Sequence, residues 1–431
     1  MFSTQFIALG ILLFCIIFFL TEWIPSTLTC MIACVLFALT GVCTFSQAFS
    51  GFSNSIVILV FGLMVVGDAM FESGVSQAIG KKVMELASHS ERRFILIAGT
   101  TAALMSMFLA NTAVIAMFLA ISNSVSQTNK DVRLKNICLA TSMGAMFGGS
   151  CTLVGSTPQL TVQSILEGSE IQTLAMWDYL PIGLILTALY MVYVLFIGYP
   201  RGKRIWGDRE DDTDTSSMAT FDAANTRELK EGSKRKKIYM VCILVLMIVL
   251  FITEWLSNVM TACVCAILCL LTKCTTEKNV LKNMNWAVLI RLAGCLGIAV
   301  GIDKSGCGEL IANSFIAVFG SNVMPIVFLA ASVLLVMLIS NFITNSTAVF
   351  VVLPPVLAIC TQLGFNPRAF ALAICYGANL CFATPLANAQ TGMTMVAGYQ
   401  FKDYFRYNIW LEVLVLIAVV LFIPIFWPLT L

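Results

Sequence analysis

The sequence predicts an all-α integral membrane protein made of two inverted repeats. Each repeat is expected to hold five transmembrane helices, a re-entrant helical hairpin and a broken helix. Three observations carry this expectation. Of 431 residues, 59% are hydrophobic and only 11% charged, against about 25% charged in soluble domains. Apolar runs of about 20 residues, enough to cross a bilayer as helix, recur from end to end. Landmarks of the first half also return in order in the second. The net charge of +2 is spread over loops and offers no basic patch for nucleic acid, so none is expected as a partner.

Candidate spans are 5–24, 27–45, 55–75, 95–123, 136–166, 179–199, 238–256, 259–273, 286–303, 323–360, 369–397 and 409–430. No Lys or Arg precedes the first run, so it reads as a retained span and not as a secretory signal with a positive n-region. Sixteen cysteines are scattered through the spans and the single histidine, His89, lies in a charged loop. That leaves no Cys/His metal set, and the cysteines read as small packing residues. The polar segment 201–237, from RGKR to KRKK, mixes both signs without an apolar period. It reads as a cytoplasmic linker between the halves.

The halves repeat one another. Thr21-Glu22-Trp23 returns as Thr253-Glu254-Trp255, Ser73-Gly74 as Ser305-Gly306, and Gly62 as Gly294, all at one common offset along the chain. Ser106-x-x-x-Ala110-Asn111-Thr112 returns as Ser340-x-x-x-Thr344-Asn345-Ser346 at nearly the same offset. Internal symmetry of this kind is a mark of secondary transporters. If 95–123 and 323–360 are re-entrant hairpins, the basic loops collect on one face, among them Lys81, Arg92, Arg133, Lys203 and Arg406. Glu167, Glu170, Asp303, Lys304, Glu309 and Arg368 collect on the other. The positive-inside rule makes the first face cytoplasmic. Both termini then lie outside, and the repeats are inverted.

The duplicated stretches LISNFITNSTAVFVVLPP and SMFLANTAVIAMFLAI carry hydroxyls and amides but no charge. Irregular backbone at membrane depth survives only where protein buries it or a wet cavity receives it. Asn offers two donors and an acceptor. A helix leaving each hairpin tip presents unsatisfied N–H groups and a positive dipole end. Two such ends aimed at the midplane can hold an anion without Lys or Arg, while carbonyls and hydroxyls of the same turns suit a small hard cation. A lone membrane serine usually bonds back to its own i−4 carbonyl; the duplication of the whole set favours binding. The spans after the hairpins read GGSCTLVGSTPQL from Gly148 and FATPLANAQTGM from Phe382. Gly, Pro and Thr there break the helix and free carbonyls, although the Gly148-Gly149 pair also suits close helix packing. Asp68, Glu72 and Arg291 stand near span ends, which favours snorkelling or packing.

On these residues the chain resembles the divalent anion:sodium symporter family of the ion transporter superfamily. That family places Ser-Asn-Thr tripeptides at two hairpin tips, with Ser or Thr four residues before each. A broken helix with a Gly/Ala-Thr-Pro-Pro-Asn-like turn follows each hairpin. Here Ala110-Asn111-Thr112 and Thr344-Asn345-Ser346 hold the tripeptide positions, with Ser106 and Ser340 upstream. The likeness extends to GFSNSIVILVFGLM and GYQFKDYFRYN and covers essentially the whole chain.

The resemblance implies a homodimeric elevator transporter in the plasma (inner) membrane, with sodium ions and no organic cofactor. Scaffold would comprise 1–93 and 238–321, each with an interfacial arm helix; 94–200 and 322–431 would carry substrate. Asn111, Thr112, Asn345, Ser346 and Asn388 would touch the carboxylates of a small anionic substrate. One sodium would sit with Ser106, Asn111 and Gly155, the other with Ser340, Thr344, Asn345 and Ala387. The chain departs from the pattern at Ala110, where the family has a sodium-holding serine hydroxyl. It departs again in the turns Gly155-Ser156-Thr157-Pro158-Gln159 and Ala387-Asn388-Ala389-Gln390-Thr391, beside which Thr384-Pro385 is an alternative register.

The expected function is secondary active transport of C4-dicarboxylates or citrate, coupled to sodium. Sodium-independent dicarboxylate exchange and transport of an inorganic oxyanion such as sulfate are the alternatives. An enzyme is not expected: one histidine removes Ser/His pairs and His-x-x-x-His zinc sites. A channel fits inverted repeats with broken helices less well than alternating access does.

Overall fold

A computed structural model describes residues 4–21, 23–87, 90–129, 132–206, 233–253, 255–319, 323–385 and 389–430. Glu22, His89, Glu254, Ala387, Asn388 and most of the expected linker, 207–232, lie outside the described residues. The first half runs α1 Thr4–Thr21, α2 Ser26–Leu39, α3 Ser55–Glu72, α4 Val75–Ala87, α5 Glu91–Ser106, α6 Asn111–Thr128, α7 Leu134–Gly149 and α8 Thr157–Gly168. It ends in α9, Leu180–Trp206. The second half repeats that order as α10 Lys234–Thr253, α11 Asn258–Leu271, α12 Trp286–Ser305, α13 Cys307–Phe319, α14 Pro325–Ser340, α15 Asn345–Leu363, α16 Pro367–Asn379, α17 Ala389–Met393 and α18 Phe401–Phe426. Each helix has its counterpart nine labels later.

Among the described residues, α3, α9, α10, α12, α15 and α18 are long and apolar enough to cross a membrane. Shorter apolar helices fill the gaps between them. The duplicated landmarks now have physical reasons. Gly74 and Gly306 adopt φ of 80° and 67° directly after α3 and α12, a left-handed turn that glycine enters without steric cost. A Cβ on Gly62 would meet Ala262 of α11 at 3.0 Å, and one on Gly294 would meet Cys30 of α2 at 2.6 Å. Cys30 and Ala262 are themselves counterparts, separated by the same offset as the two glycines. Each repeat therefore seats its third helix on the second helix of the other, by the same glycine, across an internal pseudo-two-fold. Trp23 and Trp255, 78% and 83% exposed, follow α1 and α10, where amphipathic rings suit the bilayer interface.

Several loop charges are paired: Lys304 with Glu170 at 3.2 Å, and Glu91 with Lys203 at 3.3 Å. Glu91 also accepts from the Arg133 backbone at 2.9 Å, and Arg201 donates to the Arg406 carbonyl.

The helices α5/α6 and α14/α15 form two hairpins, each turning within four residues. The arms α5 and α14 hold 16 residues each. At about 1.5 Å rise per residue that is roughly 24 Å, short of the ~30 Å hydrocarbon core. Both hairpins pack on the broken helix that comes after them: α5 and α6 on α7, and α14 and α15 on α16.

Candidate functional site

The hairpin tips are built alike. The helices α6 and α15 begin at Asn111 and Asn345, and their N-caps, Ala110 and Thr344, give no side-chain cap. The first N–H groups of both helices are thus free of a side-chain acceptor. Ser106 and Asn111 are hydrogen-bonded to each other within a buried tip. In the amide orientation that satisfies its neighbours, Asn111 also donates to the carbonyls of Gly155 at 2.9 Å and Ala145 at 3.3 Å. At the second tip Ser340 donates to Asn345 Oδ1 at 3.0 Å and to the Ala378 carbonyl at 2.9 Å. Asn345 donates to the Asn379 carbonyl at 3.3 Å. Ala145 lies in α7 and Ala378 in α16. Each tip asparagine is therefore clamped on the broken helix behind it.

The breaks supply the carbonyls. α7 ends at Gly149 and α8 begins at Thr157. A Cβ on Gly148 would overlap the Ala103 backbone, and one on Gly149 would overlap the Asn111 amide. The pair thus does two jobs, close packing for Gly148 and room for the site residue at Gly149. The Thr152 hydroxyl donates to the Met107 carbonyl in the first tip, and Thr384 donates to the Asn341 carbonyl in the second. Thr152 and Thr384 are separated by the common offset of the repeat, which also sets Gly155 against Ala387, a residue outside the described ones. The two breaks meet where Asn379 donates to Ser150 Oγ at 2.6 Å.

One cavity of about 470 Å³ is lined by both tips and the first break, including Asn111, Thr112, Gly155, Thr344, Asn345 and Ser346. The expected substrate and sodium positions Asn111, Thr112, Thr344, Asn345 and Ser346 thus face one space, joined by Gly155. Ser106 and Ser340 lie behind them, fully buried, holding the asparagines. The Thr344 hydroxyl is shared with that of Thr347 at 2.7 Å. The rest of the lining includes residues of α3, α12 and the short helix Glu277–Asn283. Its ionisable residues, among those described, are Asp68 and Arg291. Asp68 accepts from the Thr275 hydroxyl at 2.8 Å and the Asn283 amide at 2.9 Å, and Glu72 from the Asn279 amide at 2.7 Å.

Comparison with known proteins decides the family. A family model described as "Citrate transporter" matches residues 16–341 and 298–429. The chain belongs to the citrate transporter family. It is 22% identical over 463 residues to the sodium-dependent dicarboxylate transporter SdcS of Staphylococcus aureus (strain MRSA252), covering 98% of this chain and 86% of that one. This agrees with the resemblance read from the paired asparagine tripeptides. The uncharacterized transporter sll0640 of Synechocystis is 24% identical over 189 residues, 44% of this chain. That match spans about a third of the relative's length, at 31%. In fold, the chain is similar to the crystal structure of the Alcanivorax borkumensis YdaH transporter, with a TM-score of 0.62 at 14% identity, covering 90% and 89% of the two chains. The citrate transporter family and these relatives are transporters and not enzymes, and the chain is a multi-pass membrane protein.

Two residues that matter here are not singled out for the site by the sequence pattern. Glu412, buried in α18, accepts from the backbone N–H of Phe382 at 2.6 Å and of Ala383 at 2.5 Å. Its other oxygen accepts from the Asn341 amide at 3.0 Å. It ties the second break to the second tip. A signal for it does exist: it is the one acidic residue of α18 beyond the first turn, and an intramembrane carboxylate is a functional candidate by default. Arg291 has the sequence position of a span-end charge, yet it faces the cavity.

Proposed function

We propose that this chain is a secondary active transporter of small divalent organic anions, C4-dicarboxylates or citrate, coupled to sodium and working by an elevator motion. The observation that carries this reading is the meeting of two uncapped helix N-termini, each with a clamped asparagine, on one cavity at the broken helices. Uncapped N–H groups and amide donors supply an anion site without fixed positive charge. On this reading Asn111, Thr112, Asn345, Ser346 and Asn388 receive the carboxylates. Freed carbonyls and hydroxyls supply the cation sites, Ser106, Asn111 and Gly155 for one sodium, and Ser340, Thr344, Asn345 and Ala387 for the other. A sodium ion there would bring positive charge beside the carboxylate held at the tips.

The hairpins and broken helices, 94–200 and 322–431, would move against a scaffold of 1–93 and 238–321. A homodimer would anchor that scaffold, with both termini outside and 201–237 in the cytoplasm of a plasma-membrane protein. If each cycle moves one net positive charge inward, the membrane potential contributes about 2.3 kcal/mol per 100 mV. That sustains roughly a 50-fold gradient, since about 1.4 kcal/mol is tenfold.

A specific observation favours a second reading. Ala110 removes a hydroxyl from the first tip, which weakens the first cation site and suits sodium-independent exchange. Uptake of radiolabelled succinate and citrate into proteoliposomes, with and without an inward sodium gradient, separates the two. Sodium-dependent uptake abolished by Asn345→Ala supports symport at this cavity. Uptake that needs only internal dicarboxylate makes the chain an exchanger. Sulfate uptake without succinate or citrate uptake overturns the organic-anion assignment.

A further inference from the structure

The cavity lined by the hairpin tips also receives a guanidinium for which the described residues provide no acidic partner. Arg291 lies in the second turn of α12, half-buried, and lines the cavity that also receives Asn111, Asn345 and Ser346. Its Nε is buried without a hydrogen-bond acceptor. Among the described residues it makes no ion pair. The carboxylate that shares the lining with it, Asp68, is held by Thr275 and Asn283. A cation in a membrane-embedded wall is costly, and an arginine cannot shed its proton to escape that cost. Its planar fork matches a carboxylate in bidentate fashion. The linings are therefore chemically unlike: neutral amides, hydroxyls and helix N-termini at the tips, a guanidinium and a hydrogen-bonded carboxylate on α12 and α3.

We infer that Arg291 receives the distal carboxylate of the substrate and sets the preference for anions with two or more carboxylates over monocarboxylates. This rests on the transport reading above and adds the residue that counts charges. One carboxylate is held at the tips; the chain of the substrate spans the cavity; the second carboxylate pairs with Arg291. Because α12 belongs to the proposed scaffold, the pair forms when the tips face this wall and breaks when they move away from it. Arg291 acts on capture from that side and does not travel with the substrate.

The test compares succinate with monomethyl succinate, which has the same chain and one carboxylate fewer, in proteoliposome uptake by wild type, Arg291→Gln and Arg291→Lys. The expected result is a rise of about 30-fold or more in KM for succinate in Arg291→Gln, the scale of losing one partner of a buried charge pair. The KM for monomethyl succinate should stay nearly unchanged, so that discrimination collapses. Arg291→Lys should keep part of it. A merely structural role would lower uptake of both substrates alike and leave their KM ratio as in wild type, which overturns the inference. Should Arg291→Gln fail to fold, an unchanged ratio in Arg291→Lys has the same force. Absence of wild-type uptake of succinate, with Asn345→Ala indistinguishable from it, overturns the transport reading itself, an outcome separable from the first.

Discussion

The first and second breaks stand at equivalent places in the two repeats, yet they are held by opposite chemistry. The first is neutral. Asn111 reaches across to Gly155, Thr152 ties back to the tip, and Gln159 donates to the Gly149 carbonyl at 2.9 Å. The twelve-residue helix α8 comes directly after, with Pro158 in its first turn. The second break is clasped by a carboxylate from a distant helix, Glu412 of α18. The next helix there, the five-residue α17, is too short to organise the turn from its own end. The N–H groups of Phe382 and Ala383 need an acceptor, because leaving a buried donor unmade costs about 1–3 kcal/mol. The equivalent helix of the first repeat, α9, contains no Asp or Glu and has no such task. Duplication thus fixed the geometry of the pair and left each copy free to satisfy its backbone in its own way.

The largest test of this contrast is Glu412→Ala. It strips the acceptor from two backbone N–H groups and the Asn341 amide, at a cost of about 3–5 kcal/mol. A fall in apparent Tm of the detergent-purified protein, followed by tryptophan fluorescence, would report it; a melt within a degree of wild type would mean the clasp is idle. Gly148→Ala should come next, at about 1–3 kcal/mol from overpacking against Ala103. Gly149→Ala should instead show itself in uptake, through displacement of Asn111. Equal stability loss from both would break the division of labour between the two glycines. Gln159→Ala removes a neutral amide from the first break and should cost about 1 kcal/mol, well below Glu412→Ala in the same melt. The smallest effect is Ala110→Ser, which gives the first tip the hydroxyl the second has in Thr344. Sodium titration of succinate uptake should show half-saturation lowered about threefold, under about 1 kcal/mol, and Thr344→Ala should move it the other way. No change in either would remove these positions from the cation sites.

Much of this arrangement is legible in the chain before folding. The glycines at 62, 74, 294 and 306 mark the repeat because their backbone demands are local: a left-handed turn, or a helix pressed against another. The tips at Asn111 and Asn345 are visible because uncharged polarity inside an apolar run is conspicuous against its neighbours. The register of the second break is harder. Its candidate turns, Thr384-Pro385 and Ala387-Asn388, lie close together on the chain, within one stretch rich in helix breakers. The bond from Thr384 to the Asn341 carbonyl ties Thr384 to the second tip, while Ala387 and Asn388 lie outside the described residues.

Membrane class, duplication and the positions of the hairpins follow from composition, periodicity and short-range breakers, which the linear order of residues contains in full. The partners of Glu412, Arg291 and Asn111 do not, because they depend on segments far apart in the chain being brought face to face. Glu412 meets Phe382 from 30 residues away and Asn341 from 71; Arg291, in the second repeat, shares a cavity with Asn111 of the first. Near its span end, Arg291 has the pattern of an interfacial charge. Only the tertiary structure brings that charge into the cavity lined by the two tips and leaves it without an acidic partner among the described residues.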